Sequence, residues 1–269
     1  MNEPQRAVLL RALPLGEADL VVVLLTERHG KVRAAARSAR RSRRRFAGGL
    51  STGALGRVEL HRGRAALWRL DGFVPELDHA ALGRDLDRFA FVSYLCELTD
   101  ALLDEQHAEP EIFEVLAATL TRLVPSVLQG PATGAPDPIE LRRYELALLL
   151  QLGHAPSFDA CCVCGDPVAG AAIPFDAARG GALCELHGRG APIEPGEVLA
   201  AAVALGQGAE LAPLSPISRR RLRDLVSAQL RAHLRQPLRS VELFTQLAAV
   251  TQGDAPGRAG AGRVEPDGA

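Results

Sequence analysis

The chain has 269 residues, 47% of them hydrophobic, and a formal net charge of −1, so it can build a substantial core and has room for two domains or one domain with an insertion. The near-neutral balance hides a split: residues 1–75 carry 15 Lys and Arg against 6 Asp and Glu, and the remainder carries 16 against 26. A basic first third on an acidic remainder suggests a polyanion-binding module on a packing or partner-binding scaffold, and Lys31, the sole lysine, stands in no G-K-[ST] phosphate loop, which argues against an ATPase.

The first segment reads as five short strands: Arg6–Leu13, Leu20–Thr26, Lys31–Arg37, Gly56–His61 and Ala65–Phe73, each bounded by turn residues. Five strands in about 75 residues predict a small β barrel. Between the third and fourth strands Arg40, Arg41, Arg43, Arg44 and Arg45 fall within six residues. Such a run predicts a solvated, mobile loop. Like charges this dense repel one another unless an anion compensates. With Lys31, Arg33 and Arg37 they predict a basic face for nucleic acid.

From about His79 the apolar period changes to three and four, predicting a helix through Leu82–Leu103. Pro110 opens a second helix running to Val124. Gln129–Pro138 is a loop by composition, and a third helix follows to Gly153. Further helices are predicted at Pro195–Leu205, Ser218–Leu234 and Val241–Val250, and residues 253–269 lack the apolar content to fold. Cys96 falls on the apolar side of the first helix, as a small core residue.

Between the third and fourth helices lies a stretch that packing does not explain. Cys161 and Cys164 form C-x-x-C; Cys184 and His187 form C-x-x-H; each hook is followed by a glycine, Gly165 or Gly188. Two such hooks are the sequence form of a tetrahedral zinc site. Four protein ligands close the site, which makes the metal structural. Cys162 could replace a neighbour, but C-x-C is a less usual hook; a buried or supporting thiol fits it better. An insertion this short builds no core of its own, so the ion is expected to hold it together. The odd cysteine count fits a reducing cytoplasm. The sequence shows no secretory leader and no apolar run long enough for a bilayer.

No catalytic constellation emerges. Gly49–Gly53 matches G-x-S-x-G, but an arginine run precedes it and a strand follows, not the strand–turn–helix of a nucleophile elbow. H-E-x-x-H and the H-x-E with P-C-x-x-C of deaminases are absent. Asp85, Asp87, Glu97 and Asp100 follow helix spacing and suit a solvated face. The expectation is a protein that is not an enzyme.

The joint order of Val8–Val32, the basic loop to Phe46, Asp159–Gly165, Phe175–Cys184 and His233–Ser240 resembles the bacterial RecO family of DNA repair proteins, which are recombination mediators. The resemblance implies an α+β chain: an N-terminal five-stranded OB-fold barrel at 1–77, a helical domain at 78–252 with a small zinc-binding element at 158–190, and a disordered tail at 253–269. It implies binding of single- and double-stranded DNA, annealing of complementary strands, and help in loading the RecA recombinase onto DNA coated with single-strand-binding protein. RecR and single-strand-binding protein are the implied partners, in a nucleoid-associated cytoplasmic setting without a membrane. Arg142, Arg143, Arg219, Arg220, Arg221 and Arg223 are candidates to receive the acidic tail of single-strand-binding protein, against plain solvation. The family's zinc-binding members usually offer four cysteines; here His187 takes the last place.

The basic third has only Phe46, Trp68 and Phe73 for base stacking, so affinity is expected to rest on the phosphate backbone. The alternative is a zinc-ribbon adaptor acting on RNA or in transcription regulation.

Overall fold

The computed structural model describes residues 4–42, 44–46, 49–62, 67–77, 82, 85–124 and 136–244. The predicted tail, Arg43, the start of the fifth strand, most of the Gln129–Pro138 loop and the end of the last helix lie outside these residues.

Five strands, β1 (Gln5–Leu15), β2 (Asp19–Thr26), β3 (Gly30–Ala36), β4 (Leu55–His61) and β5 (Trp68–Pro75), close a barrel in the order β1-β2-β3-β5-β4. All neighbours are antiparallel except β3 and β5, which are parallel through Ala34–Trp68 and Ala35–Arg69. This closed five-stranded barrel is the predicted OB fold, with no free edge. Alternation sorts the side chains. Leu9, Val22, Leu24, Val32, Leu70 and Phe73 fill the interior. Val8, Leu10, Val23, Leu25 and Leu55 point outward and join the core of the helical region. The barrel interior is thus a core of its own, while the barrel's outward face is part of the core of the helical region.

The helical region holds α1 (Leu86–Leu102), α2 (Pro110–Leu123), α3 (Ile139–Gln151), α4 (Gly196–Gly206) and α5 (Pro216–His233). Asp85 caps α1 by accepting the Arg88 N–H at 3.0 Å, so the helix starts at Leu86, later than the expected Leu82. Ser215 caps α5, and Pro110 and Pro216 start α2 and α5. α3 packs against the other four helices. Residues 240–244 are helical, at the start of the last predicted helix.

The metal-hook element contains a sheet that the sequence reading lacks: β6 (Ala172–Asp176), β7 (Gly181–Ala182) and β8 (Ile193–Pro195), ordered β7-β6-β8. Its Phe158, Ile173, Phe175 and Ala182 are buried in the helical core. The element builds no separate core, as expected, but it shares the helical one, so apolar anchoring and strand pairing also hold it. Among the described residues no helix is long and apolar enough to cross a membrane.

Candidate nucleic-acid interface and metal centre

The described residues of the arginine run are tethered at both ends, contacts that the loop's composition does not show. At the start, the Ser38 N–H donates to Asp19 Oδ1 at 2.7 Å, and the amides of Arg41 and Ser42 donate to the Ser38 carbonyl. Ser38 itself takes a positive φ of 53° to make the turn. At the end, Phe46 is buried in the barrel, and the Phe73 N–H donates to the Arg45 carbonyl at 2.9 Å. Burying one phenylalanine contributes about 1.5–3 kcal/mol, which offsets part of the cost of ordering the loop.

The candidate DNA-binding residues separate into three groups. Lys31 does not join the exposed face. It is only 8% exposed, and its ammonium donates to the carbonyl and carboxylate of Asp100 at 2.6 and 3.2 Å. Its charge is spent joining β3 to α1. Arg33 is exposed but ion-paired with Glu105 at 2.6 Å. Arg37, Arg40, Arg41, Arg44 and Arg45 project from the tethered loop. Arg40 and Arg45 donate to the carbonyls of Glu17 and Arg37, and Arg41 has a loose exposed pairing with Glu17 at 3.5 Å, worth little in water. Arg37 and Arg44 form no ion pair among the described residues. Arg43 lies outside them.

Phe46, Trp68 and Phe73 are all buried. Among the described residues the barrel offers bases no exposed Phe, Tyr or Trp ring, so the face is cationic rather than stacking.

Cys161, Cys164, Cys184 and His187 converge as read from the sequence: one ligand atom from each lies within 4.8 Å of the others. Cys184 Sγ is 3.2 Å and Cys161 Sγ 3.6 Å from His187 Nδ1, and Cys164 Sγ is 3.9 Å from Cys184 Sγ. Ligands at zinc distances on a tetrahedron stand about 3.5–3.8 Å apart, so the donor set fits such an ion. Burial disfavours the Cys161 thiolate, yet the backbone amides of Cys184, Cys164 and Val163 outweigh it and lower the thiol to about 5. The neighbouring Cys164 thiol moves the opposite way: a backbone bond at Asp166 lowers it, but burial and the Asp166, Cys161 and Cys184 side chains raise it further.

Each hook closes on a backbone bond, from the Gly165 N–H to the Cys161 carbonyl and from the Gly188 N–H to the Cys184 carbonyl, both 2.8 Å. The glycines differ in reason. Gly165 has φ +78°, a left-handed turn that favours glycine. Gly188 does not; a Cβ there would meet the Pro174 ring at 2.4 Å. The thiol of Cys162 is outside the ligand group, and its N–H donates to the Ala182 carbonyl at 2.9 Å, stitching one hook to the strand that leads to the other.

A third feature was not visible in the sequence. A groove of about 680 Å³ runs between α1, α3, α5 and residues 241–244. Phe91, Tyr94, Leu141 and Phe244 line its floor; Arg219, Arg220, Arg223 and Arg231 stand on its rim. Arg219 and Arg223 are paired with Asp137 and Asp224. Arg142 is held in the floor by Glu145, 2.6 Å away and fully buried, which also accepts from the Tyr94 hydroxyl at 2.5 Å. Burial raises the Glu145 carboxyl above its ordinary range, against the pull of Arg142. Arg143 points elsewhere, donating to the Ala209 carbonyl, and Arg221 pairs with Glu194.

Comparison with known proteins agrees with this architecture. Residues 1–73 match the family described as Recombination protein O N terminal, and residues 83–242 match Recombination protein O C terminal. The chain is 39% identical over 236 residues to DNA repair protein RecO of Anaeromyxobacter sp. (strain K), covering 84% of this chain and 89% of the relative. It is 36% identical over 244 residues to DNA repair protein RecO of Myxococcus xanthus and 35% identical over 250 residues to that of Geobacter sulfurreducens, each covering 90% of this chain and 96% of the relative. With both halves matched in order on a closed barrel followed by a helical region, the chain belongs to the RecO family of DNA repair proteins.

Proposed function

We propose that the protein is a non-enzymatic recombination mediator of the cytoplasm and nucleoid. It binds single- and double-stranded DNA, anneals complementary strands and helps load RecA onto DNA coated with single-strand-binding protein, with RecR as a partner. The observation that carries this reading is the tethered arginine turn on a barrel whose Phe46, Trp68 and Phe73 are all buried. Such a face holds phosphates without reading bases. Two strands on one cationic surface repel each other less, which lowers the barrier to pairing.

Zinc is the metal that Cys161, Cys164, Cys184 and His187 would hold. It would cross-link the two hooks and, with four protein ligands, leave no position for a reacting water. The groove beside α5 is the proposed dock for the acidic tail of single-strand-binding protein. The rim arginines above its apolar floor suit the carboxylates of an acidic segment. Arg142, Arg219, Arg220 and Arg223 of the candidate set belong to this groove.

The test is annealing of two complementary DNA strands precoated with single-strand-binding protein, at low and high salt. Fast annealing that fades with salt is expected. Binding to bare strands without annealing would instead favour the adaptor reading, and the same measurement with RNA would then follow. Replacing Arg40, Arg41, Arg43, Arg44 and Arg45 by alanine should flatten the salt slope for a single strand by up to about 3.5, at about 0.7 for each phosphate that is no longer neutralised.

A further inference from the structure

The outer face of the β1–β2–β3 sheet continues beyond the helices that cover it. Pairing registers place Arg11, Val23 and Arg33 in one row across the three strands, and Leu13, Val21 and Ala35 in the next. Directly paired residues point to the same side of a sheet. The first row is the border of the helical cover: Val23 is buried, while Arg11 and Arg33 pair with Asp100 and Glu105. The second row lies past that border. Leu13 is 44% exposed and Leu15, two residues on and on the same side, 49%. The far side is closed by the arginine turn, which is bonded to the β1–β2 tip: the Arg40 N–H donates to the Ala18 carbonyl at 3.1 Å, and the Ser38 N–H to Asp19. An exposed aliphatic row therefore lies between arginines on two sides.

We propose that Leu13 and Leu15, with Val21 and Ala35 between the strands, form a contact surface for the unpaired bases of a single strand whose phosphates the arginine turn holds. The inference rests on the DNA-binding reading above and adds strand-state selectivity to it. Charge selects the occupant. A second copy of this chain would bring two arginine turns together, whereas single-stranded nucleic acid combines phosphates with exposed apolar base faces. A duplex hides those faces, so only its phosphates engage. Aliphatic contact also suits annealing. Stacking on an aromatic ring holds a base by about 1–3 kcal/mol, and a base must leave the protein to pair with its complement. A leucine edge keeps bases apart from one another and releases them readily.

The test uses the full chain with Leu13→Thr and Leu15→Thr together, which keeps strand propensity and removes the aliphatic ends. Affinity for a single-stranded oligonucleotide should fall about fivefold while affinity for the matching duplex stays unchanged, and both salt slopes should be retained. A second measurement is the fluorescence of 2-aminopurine within the single strand. The native chain should raise it on binding, and the double variant should raise it less. Equal losses on both substrates, or no loss on the single strand, would overturn the proposal, as would an unaltered 2-aminopurine response. If the native chain bound neither substrate in a salt-dependent way, the DNA-binding reading itself would fall, an outcome distinct from failure of the leucine row alone.

Discussion

Replacing Lys31 by methionine distinguishes a phosphate contact from a structural joint at this position. As the only lysine, within the basic third, it reads as a phosphate contact; in the fold it is a buried joint between barrel and helices. Its ammonium makes two bonds to Asp100, and Arg11 reaches the same carboxylate at 3.1 Å. Replacing Lys31 by methionine keeps the apolar stem and removes two charge-assisted bonds. Asp100 keeps Arg11, so the loss should be about 2 kcal/mol. Replacing Asp100 by alanine instead leaves a nearly buried ammonium with only a carbonyl, and should cost more, about 3 kcal/mol. For a folded region of this size the first change lowers Tm by about 4–8 °C. Because the outward face of the barrel shares the helical core, unfolding should stay a single transition. Urea and thermal unfolding measure the stability; DNA titrations at several salt concentrations measure the contact. The salt slope of Lys31→Met should equal that of the native chain. A slope reduced by about 0.7–0.9 with Tm unchanged would place Lys31 on a phosphate and refute the reasoning.

Other outcomes follow from single contacts. Purified protein should carry one zinc per chain by elemental analysis; Cys184→Ser should lower metal content and Tm together, while His187→Cys should retain the metal, since either donor completes the tetrahedron. Gly30→Ala should cost at least about 3 kcal/mol or abolish soluble expression, because its Cβ would fall 1.5 Å from the His107 carbonyl oxygen at φ +62°. Gly165→Ala meets no atom and should cost only about 1–2 kcal/mol from the left-handed turn, read by urea unfolding. Arg220→Glu with Arg231→Glu should weaken binding of an acidic, apolar-ended peptide by about tenfold in fluorescence anisotropy, without changing DNA affinity. His233 stacks on His154 with ring centroids 4.1 Å apart, and burial, then the charge of His154, lower it from the ordinary histidine range. The unfolded chain then binds the proton more readily, so stability should fall as pH drops below about 6.5, and His233→Gln should flatten that dependence in thermal melts.

The barrel was legible because its cues are local: period-two runs, short turns, and an arginine block that only a loop tolerates. The hooks were legible because metal spacing is itself a local geometry. What escaped the sequence depends on contacts between distant segments. The burial of Lys31 needs Asp100, 69 residues away. The groove needs Phe91, Leu141, Arg223 and Phe244 from four elements. The small sheet β7-β6-β8 rests on a strand of two residues and one of three, too short for any period to show. The loop was expected to move because five arginines dominate its composition; Phe46, one residue past them, carries the opposite information and anchors it. Gly188 and Gly165 look equivalent in sequence, yet one serves a turn and the other a close approach.

One helix connects the proposed activities. α1 carries Phe91 and Tyr94 in the groove and Asp100 on the barrel joint, nine residues and about 14 Å from Phe91. The groove arginines come from α3 and α5, and the DNA arginines from the β3–β4 loop. An acidic tail in the groove and a phosphate chain on the barrel therefore compete for no shared cation. On the proposed reading this separation matters. A mediator must seize the coat protein and its DNA at the same moment, and a single cationic patch would force a choice between them. Joining the sites through a shared core rather than a hinge also fixes their distance. Strand handover then depends on where the coat protein's tail is held relative to the arginine turn, and loosening the Lys31–Asp100 joint should impair annealing of coated strands more than annealing of bare ones.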